Sequence, residues 1–326
     1  MILKSISEIK RDSIKDELGR SFKTLRISLT STCNLACNYC VPDKGHKAKP
    51  LFQKLSTQDH IDAVKKIFDL TGIHTVRLTG GEPLLYKDIV NLVKGIKEAG
   101  IQNVKLTTNG LLFPEIAEEL KQAGLDAVNI SLDALKEDTF LKVSRRKNVS
   151  KVLKGIDKAV DLRLPVKLNT VVMKGINDHE ILPLLDYAGE RSIVIRFLEL
   201  MNMGHMASEH SAFFFSQEEI LERISGKYKF YPLEREGSAT ANYWVTNHLN
   251  KFGIISNISH SFCSDCNRLR LDSFGRIFGC LSSNSAIPIM NSLNNPDELE
   301  RKLRLALGQK QASFKGSSIS MKSIGG

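Results

Sequence analysis

Residues 33–40 read Cys33-Asn34-Leu35-Ala36-Cys37-Asn38-Tyr39-Cys40, which places three cysteines within eight residues. A four-iron, four-sulfur cluster held entirely by protein takes four thiolates, so three thiolates with no nearby fourth leave one iron open. A structural zinc site usually needs four cysteine or histidine ligands, and this stretch contains no histidine. The stretch therefore predicts an iron–sulfur cluster that can bind a substrate or cofactor at its open iron.

The cysteines of the chain fall into two groups of three, Cys33, Cys37 and Cys40 and then Cys263, Cys266 and Cys280. In a reducing compartment such grouping indicates metal ligation rather than disulfides. A turn signal at residues 272–275 predicts a hairpin that returns Cys280 to the other two cysteines of its group. We therefore expect a second cluster, again with three thiolates and one open iron.

Strand-like and helix-like patterns alternate from residue 23 onward. The predicted strands are 24–29, 74–79, 104–107, 127–131, 166–172 and 193–198, and the first intervening helix has a capping signal in Ser56 and Asp59. Six successive strand–helix units require a parallel sheet with right-handed crossovers. Because there are six units rather than eight, the predicted fold is α/β, with an open, partial barrel of the TIM type.

Several polar or glycine-containing segments follow these strands directly. They are the first cysteine group, Gly80-Gly81-Glu82, Thr107, Ser131 and Glu199-Leu200-Met201. Ligands of such barrels bind at the carboxyl ends of the strands. The segments are therefore expected to converge on one mouth of the barrel.

Composition limits the class of protein and its partners. The chain has 326 residues, 42% of them hydrophobic, which is enough for one large domain and a smaller one. Its formal net charge of +10 favours an anionic partner, and from charge alone nucleic acid, a membrane surface and a nucleotide all remain open. We find neither a membrane-spanning run nor a signal peptide, so a cytoplasmic location without membrane association is expected.

The same patterns divide the chain into three parts. Residues 1–22 are expected to form a solvated arm or a frayed helix with no assigned chemistry, 23–226 the partial barrel, and 227–326 a smaller C-terminal region with the second cysteine group. In that region Arg268 and Arg270 are two residues apart on a predicted strand, so their side chains share a face and can bind an anion together.

An ordered set of motifs resembles one family. The motifs are Arg26, CxxxCxxC, Arg77-x-Thr79-Gly80-Gly81-Glu82-Pro83, Thr107-Thr108-Asn109-Gly110, Ser131-Leu132-Asp133, Lys167-x-Asn169, Glu199-Leu200-Met201, FCxxCxRxRL from Phe262, Cys280 and the terminal Gly325-Gly326. In this order they resemble the GTP 3',8-cyclase family of molybdenum cofactor biosynthesis, within the radical S-adenosylmethionine superfamily. Ser31-Thr32 and Val41 depart from the residues common in that family, and they flank the first cluster rather than bind it.

The resemblance implies the ligands and the residues that hold them. Two four-iron clusters would be held by Cys33, Cys37 and Cys40 and by Cys263, Cys266 and Cys280. S-adenosylmethionine would bind the open iron of the first cluster and be lined by Tyr39, Gly81, Ser131 and Met201. GTP would lie with its guanine at the second open iron and contact Arg26, Arg77, Thr107, Lys167, Arg268, Leu269 and Arg270. Catalysis would be assisted by Gly325, Gly326, Arg268 and Arg270.

The resemblance also implies a reaction and partners. A 5'-deoxyadenosyl radical would remove the ribose 3' hydrogen of GTP, and the sugar radical would close onto C8 of guanine. The electron would come from a flavodoxin- or ferredoxin-type donor. A cyclic pyranopterin monophosphate synthase would take the product. Monomer and homodimer both remain open, because the sequence does not give the oligomeric state. No nucleic acid is expected as a partner.

Two other classes of function remain as alternatives. One is a radical enzyme with another substrate, such as a peptide-modifying enzyme with auxiliary clusters. The other is a basic nucleic-acid-binding protein with structural metal sites, which would bind zinc and show steep salt dependence. The interpretation as a GTP 3',8-cyclase carries a requirement of its own, because its two cysteine groups must face one basic chamber.

Overall fold

Parallel strands make up the centre of the fold. The computed structural model describes residues 14–42, 54–319 and 321–324. Within them the central strands are β1 (Thr24–Ser28), β2 (Thr75–Thr79), β3 (Asn103–Thr108), β4 (Ala127–Ser131), β5 (Val166–Val172) and β6 (Val194–Glu199). Each pairs in parallel with the next, from β1 to β6. The predicted parallel sheet is therefore confirmed, with bounds that differ by a residue or two.

Helices connect these strands. They are α1 (Thr57–Thr71), α2 (Ile89–Glu98), α3 (Phe113–Gln122), α4 (Glu137–Ser144), α5 (Val149–Asp161), α6 (Ile181–Glu190), α7 (His210–Phe213), α8 (Gln217–Ser225), α9 (Pro296–Gly308) and α10 (Met321–Ile324). The predicted cap of α1 is confirmed, because Ser56 and Asp59 each accept a hydrogen bond from the other's backbone N–H. Apolar faces of the helices and outward-facing strand residues such as Leu25, Val76 and Leu106 form the main core.

The C-terminal region extends the same sheet at both edges. Its strands are β7 (Phe230–Leu233), β8 (Asn242–Thr246), β9 (Lys251–Ile255), β10 (Arg268–Leu271), β11 (Arg276–Phe278) and β12 (Ile287–Pro288). The strand order is β12-β11-β10-β1-β2-β3-β4-β5-β6-β9-β8-β7. β10 pairs in parallel with β1, and β9 pairs in parallel with β6. This region therefore lies against both edges of the barrel.

The predicted hairpin after the second cysteine pair is confirmed. β10 and β11 are antiparallel, with Arg270 opposite Phe278. The turn is held by Asp272, whose carboxylate accepts from the backbone N–H groups of Phe274 and Arg276. Cys280 follows β11 by two residues, so the hairpin brings it back toward Cys266 as expected.

The described part of the N-terminal segment differs from the expected solvated arm. Ile14, Arg20 and Phe22 are buried, and Arg20 donates to the carbonyl oxygens of Cys263 and Gln311 at 3.0 and 2.9 Å. The mixed charge of this segment did not indicate that the Arg20 side chain is buried and hydrogen-bonded within the protein. Among the described residues, none of the helices has the length and apolar character needed to cross a membrane.

Candidate active site

A first cavity lies at the carboxyl ends of the central strands. Its volume is about 200 Å³, and the expected segments after β1, β2, β3, β4 and β6 all contribute to it. They contribute Cys33, Cys37, Tyr39, Cys40, Gly81, Glu82, Asn109, Ser131, Asp133, Glu199 and Met201. The predicted convergence of these segments is thus observed, because parallel strands end at one edge of the sheet.

The first cysteine loop is held by hydrogen bonds along its backbone. The Sγ of Cys33 accepts from the N–H of Leu35 at 3.4 Å, and the N–H of Cys40 donates to the carbonyl of Cys37 at 2.9 Å. Burial raises the pKa of the Cys33 and Cys37 thiols. Their thiolates therefore need a positively charged partner, which the iron of a cluster supplies.

Two glycines place this loop against β2. The N–H of Gly81 donates to the carbonyl of Thr30 at 2.6 Å, and that of Glu82 donates to the carbonyl of Thr32 at 2.8 Å. A Cβ at Gly81 would lie 2.3 Å from the oxygen of Thr32. The absence of a side chain at this position is therefore required for the contact, and it also leaves Gly81 on the cavity wall.

Glu82 and Asp133 are buried carboxyl groups of the first cavity. Glu82 accepts from the Oγ1 of Thr108 at 2.6 Å and from the N–H of Asn109 at 2.8 Å, and burial raises its pKa to about 7. Asp133 accepts from the hydroxyl of Tyr39 at 2.8 Å, and burial raises its pKa to about 6. Sequence reasoning had not assigned Asp133 a role, although it stands in the quoted motif after β4.

A second, larger cavity continues into the barrel and reaches the second cysteine group. Its volume is about 510 Å³. Besides Cys263, Cys266 and Cys280, its lining includes the cationic side chains of Arg20, Arg26, Arg77, Lys105, Arg196, Arg268, Arg270 and Lys310. Glu236 is the only carboxylate among the described residues that line it. Such an excess of cations is suited to a polyanion.

Four of these cations form a row across adjacent strands. The pairing register places Arg270 opposite Arg26, Arg26 opposite Arg77, and Arg77 opposite Lys105. Like charges directly opposite one another destabilise a sheet. Burial lowers the pKa of Arg77 to about 9, and burial with the charges of four nearby arginines holds that of Arg26 well below its usual value. An anion in the cavity would compensate this repulsion.

Four polar atoms at this cavity lack partners. They are the Nε of Arg26, the Nε of Arg196, the Oδ1 of Asn169 and the Oε1 of Gln311, all buried and without a hydrogen-bond partner in the described ranges. Unsatisfied buried groups are costly, so their persistence indicates a ligand that pairs with them. Arg196 was missed in the sequence, although a charged residue inside the apolar strand β6 is a signal for an inward-facing functional side chain.

Two of the residues expected to contact GTP, Lys167 and Leu269, do not line the second cavity. Lys167 lines a neighbouring cavity of about 390 Å³ at the amino ends of β4 to β6, which shares Arg77 and Arg196 with the second cavity. Leu269 has no exposed surface and packs in the main core, because it alternates with Arg268 and Arg270 along β10. The side chain of Leu269 is therefore not part of the cavity wall, and the expected contact stays a prediction for its backbone alone.

The C-terminal tail also reaches the second cavity. Met321 lines both cavities, and the carbonyl of Ile324 accepts a hydrogen bond from the Nη1 of Arg270 at 3.2 Å. The expected catalytic residues Gly325 and Gly326 lie outside the described residues.

The two cavities meet inside the barrel. The residues that line both are Thr107, Asn169, Leu198, Met201 and Met321. The cysteine groups therefore face a common space, as the radical enzyme interpretation required. Five of the predicted nucleotide contacts line this space, namely Arg26, Arg77, Thr107, Arg268 and Arg270.

Both cysteine groups have donor chemistry that fits iron–sulfur clusters. All six cysteines are described, and none is in a disulfide. Burial alone would raise the pKa of Cys266, but the charges of Arg268 and Lys310 lower it to about 6. In the described ranges no three His, Cys, Asp or Glu side chains approach as the ligands of one metal ion do. A four-iron cluster spaces its thiolates more widely, because each binds a different iron.

Comparisons with known proteins match two successive parts of the chain. A family model described as the Radical SAM superfamily matches residues 27–188, and one described as Molybdenum Cofactor Synthesis C matches residues 193–316. The GTP 3',8-cyclase of Alkaliphilus oremlandii (strain OhILAs) is 39% identical over 324 residues, 96% of this chain and 100% of that protein. The GTP 3',8-cyclase of Clostridium acetobutylicum is 40% identical over 299 residues, 90% of this chain and 92% of that protein.

Solved structures support the fold. Streptococcus suis SuiB bound to S-adenosylmethionine superposes with a TM-score of 0.58 at 17% identity, covering 85% of this chain and 65% of that chain. The family model and the curated relatives, rather than this structural match, place the open parallel barrel with its three-cysteine loop among the radical S-adenosylmethionine enzymes. Within that class, the chain belongs to the GTP 3',8-cyclase family. The two alternatives left open by the sequence, a peptide-modifying enzyme and a nucleic-acid-binding protein, are not the family that the relatives define.

Proposed function

We propose that this chain converts GTP to (8S)-3',8-cyclo-7,8-dihydroguanosine 5'-triphosphate, an early step of molybdenum cofactor synthesis. The observation that carries the proposal is the common chamber, in which one three-cysteine group opens on a small cavity and the other on a strongly basic one. With S-adenosylmethionine, the first cluster supplies a carbon radical that abstracts a hydrogen atom. The protein must bind, orient and shield the nucleotide.

At the first cavity, Cys33, Cys37 and Cys40 would hold the cluster. The adenosyl cofactor would be lined by Tyr39, Gly81, Ser131 and Met201. This assignment is supported by the presence of all seven residues on one cavity wall. The hydrogen bond from Tyr39 to Asp133 fixes the tyrosine ring against that wall.

At the second cavity, Cys263, Cys266 and Cys280 would hold the other cluster beside the guanine. Arg26, Arg77 and Thr107 would contact the nucleotide from the barrel, with Lys167 at the far end, and Arg268, the backbone of Leu269 and Arg270 would contact it from β10. The row of opposed cations supports a triphosphate at this position, since its several negative charges offset their repulsion.

The tail and the partners complete the proposal. Gly325 and Gly326 would assist catalysis beside Arg268 and Arg270, which is supported by the contact between Arg270 and Ile324. A flavodoxin- or ferredoxin-type donor would deliver the electron, and a cyclic pyranopterin monophosphate synthase would use the product. The chain would act in the cytoplasm, where cysteines stay reduced, and as a homodimer.

Anaerobic reconstitution with iron and sulfide tests the proposal. The reconstituted protein is incubated with GTP, S-adenosylmethionine and a reductant, with ATP replacing GTP as the control. We expect 5'-deoxyadenosine and a cyclised guanosine triphosphate with GTP only. Two clusters' worth of iron should be bound, and zinc binding with no iron would reject the assignment.

Single cysteine variants separate the two cavities. Cys37→Ser should abolish cleavage of S-adenosylmethionine, because it removes a ligand of the first cluster. Cys280→Ser should spare part of that cleavage and lose cyclisation, because it affects only the second cluster. Undiminished product formation by either variant would contradict the division of roles.

A further inference from the structure

Lys310 lies directly against the second cysteine group. Its Nζ is 3.2 Å from the Sγ of Cys266 and donates to the carbonyl oxygen of Arg268 at 2.9 Å. The ammonium also lies over the ring of Phe22, 5.3 Å from its centroid. Only 9% of the residue is exposed, so this contact is shielded from solvent. The sequence motifs did not include Lys310, because it stands in the turn after α9.

The turn that carries Lys310 is fixed to both halves of the cysteine group. The side-chain oxygen of Gln309 accepts from the N–H of Gly279, next to Cys280, at 2.8 Å. Arg20 donates to the carbonyl of Cys263 at 3.0 Å and to that of Lys310 at 3.3 Å. The backbone of Lys310 is therefore held beside the cysteine group by contacts on either side, and this places its side chain within reach of Cys266.

A hydrogen bond to a carbonyl oxygen alone does not offset the free energy that is lost when a lysine ammonium is buried. Burial of an ammonium disfavours its charge, and an adjacent thiolate offsets that cost. Hydrogen bonds and net charge around the sulfurs are among the factors that set the reduction potential of an iron–sulfur cluster. A cation at this distance favours the more negative, reduced form of the cluster.

We propose that Lys310 is a positioning residue of the second cluster, which holds the Cys266 thiolate by a charged hydrogen bond and raises the reduction potential of that cluster. The inference rests on the proposed second cluster at Cys263, Cys266 and Cys280. It gives this lysine a part in the difference in reduction potential between the two clusters, since the first cysteine group instead shares its cavity wall with the carboxyl groups of Glu82 and Asp133.

The test isolates the second cluster. Cys33, Cys37 and Cys40 are replaced by alanine, and this parent protein is reconstituted anaerobically and titrated with reductant while its paramagnetic resonance spectrum is followed. Lys310→Gln and Lys310→Arg are compared in the same background. The control is Lys302→Gln, because Lys302 also donates to a backbone carbonyl, that of Pro288 at 2.8 Å.

The glutamine variant keeps a donor for the Arg268 carbonyl but removes the charge, so its second cluster should be reduced at a more negative potential. The arginine variant should stay close to the parent, and Lys302→Gln should not differ from it. A fully assembled cluster with an unchanged potential in Lys310→Gln would overturn the role of Lys310. Loss of the cluster from a folded Lys310→Gln, restored by Lys310→Arg, would support it.

A measurement without any variant at Lys310 avoids the question of folding. The parent is labelled with ¹⁵N-lysine, and pulsed paramagnetic resonance of its reduced cluster should detect a weakly coupled lysine nitrogen. Absence of that coupling would contradict the contact. Failure of the parent to bind iron would overturn the second cluster itself, which distinguishes the failure of the proposed function from that of this inference.

Discussion

The buried cations of the barrel lie opposite one another, and an anion among them would offset their repulsion. Arg26 has Arg270 on one side and Arg77 on the other, and its Nε has no partner in the described part of the chain. Each arginine stands in a strand whose neighbouring residues are apolar, so the sequence could identify candidates at these positions. That the candidates share one level of the sheet depends on strand register, which is set by packing and cannot be read from local pattern.

Replacement of Arg26 by methionine separates binding from stability. The free energy of unfolding without nucleotide should rise by about 1 kcal/mol, because a buried, incompletely paired charge is removed. GTP affinity should fall at least tenfold, about 1.4 kcal/mol, because a phosphate partner is lost. Denaturant unfolding and calorimetric titration measure the two quantities.

Arg304→Met is the matched control for Arg26→Met. Arg304 is an arginine on α9 that pairs with Glu300 at 2.8 Å outside the cavities. Its replacement should leave GTP affinity unchanged. If Arg26→Met destabilised the nucleotide-free protein by several kcal/mol and left GTP affinity intact, Arg26 would be a structural residue rather than part of the binding site.

The buried carboxyl group of Asp133 should make the stability of the iron-free protein depend on pH. Burial raises its folded pKa from 3.8 to about 6, so its ionisation is easier in the unfolded chain. Its contribution is therefore present below about pH 4 and is lost as the pH rises to about 6, with a total change of roughly 2 to 3 kcal/mol. Asp133→Asn should lack this decline when denaturant unfolding is followed from pH 4 to 7. An identical pH profile for both proteins would show that burial does not raise the pKa of Asp133 in the folded protein.

The loop after β1 and the turn after β2 act together as one unit of the mouth. The backbone of Gly80 and Gly81 packs on Thr30 to Thr32, and this contact directs the cysteines toward the cavity. A glycine pair after a strand is visible in the sequence, and it was expected there to lie at the mouth of the barrel. The structure gives this expectation a physical basis, because the close approach that excludes a side chain also forms the cavity wall.

Gly81→Ala should disturb this unit. Its Cβ would contact backbone atoms of Thr32, which cannot move as a flexible side chain does, and we expect a destabilisation of about 1 to 3 kcal/mol. Iron in the first cluster and affinity for S-adenosylmethionine should fall, while the second cluster is retained. Gly308→Ala serves as the control, since a Cβ there meets nothing within 4 Å. Normal iron content and cofactor affinity in Gly81→Ala would refute the proposed function of this contact.

The strands show clearly which parts of a fold local pattern can predict. β1 to β6 were found because each has its own apolar run and is followed by a helix. The attachment of β10 to β1 and of β9 to β6 was not found, because the partners are separated by more than 50 residues and no local feature specifies them. The orientation of the Leu269 side chain was not foreseen for a related reason, since its motif was carried over as a segment although alternate residues of β10 face opposite sides.

The two edges of the sheet bring the two halves of the chemistry together. The segment with the second cysteine group packs beside β1, the strand that leads into the first group, so both groups open on the interior of one barrel. Charge is divided between them, with carboxyl groups near the first and cations near the second. This arrangement suits a nucleotide whose sugar points toward the first cavity while its phosphates lie among the arginines and lysines.

Hydrogen transfer from the nucleotide tests this arrangement most directly. GTP carrying deuterium at ribose C3' is incubated anaerobically with the reconstituted protein, S-adenosylmethionine and reductant, and the products are analysed by mass spectrometry. We predict one deuterium in 5'-deoxyadenosine and a cyclised product that has lost it. Unlabelled 5'-deoxyadenosine with unreacted GTP would show that the sugar does not lie before the first cavity, and would contradict the shared chamber as the site of reaction.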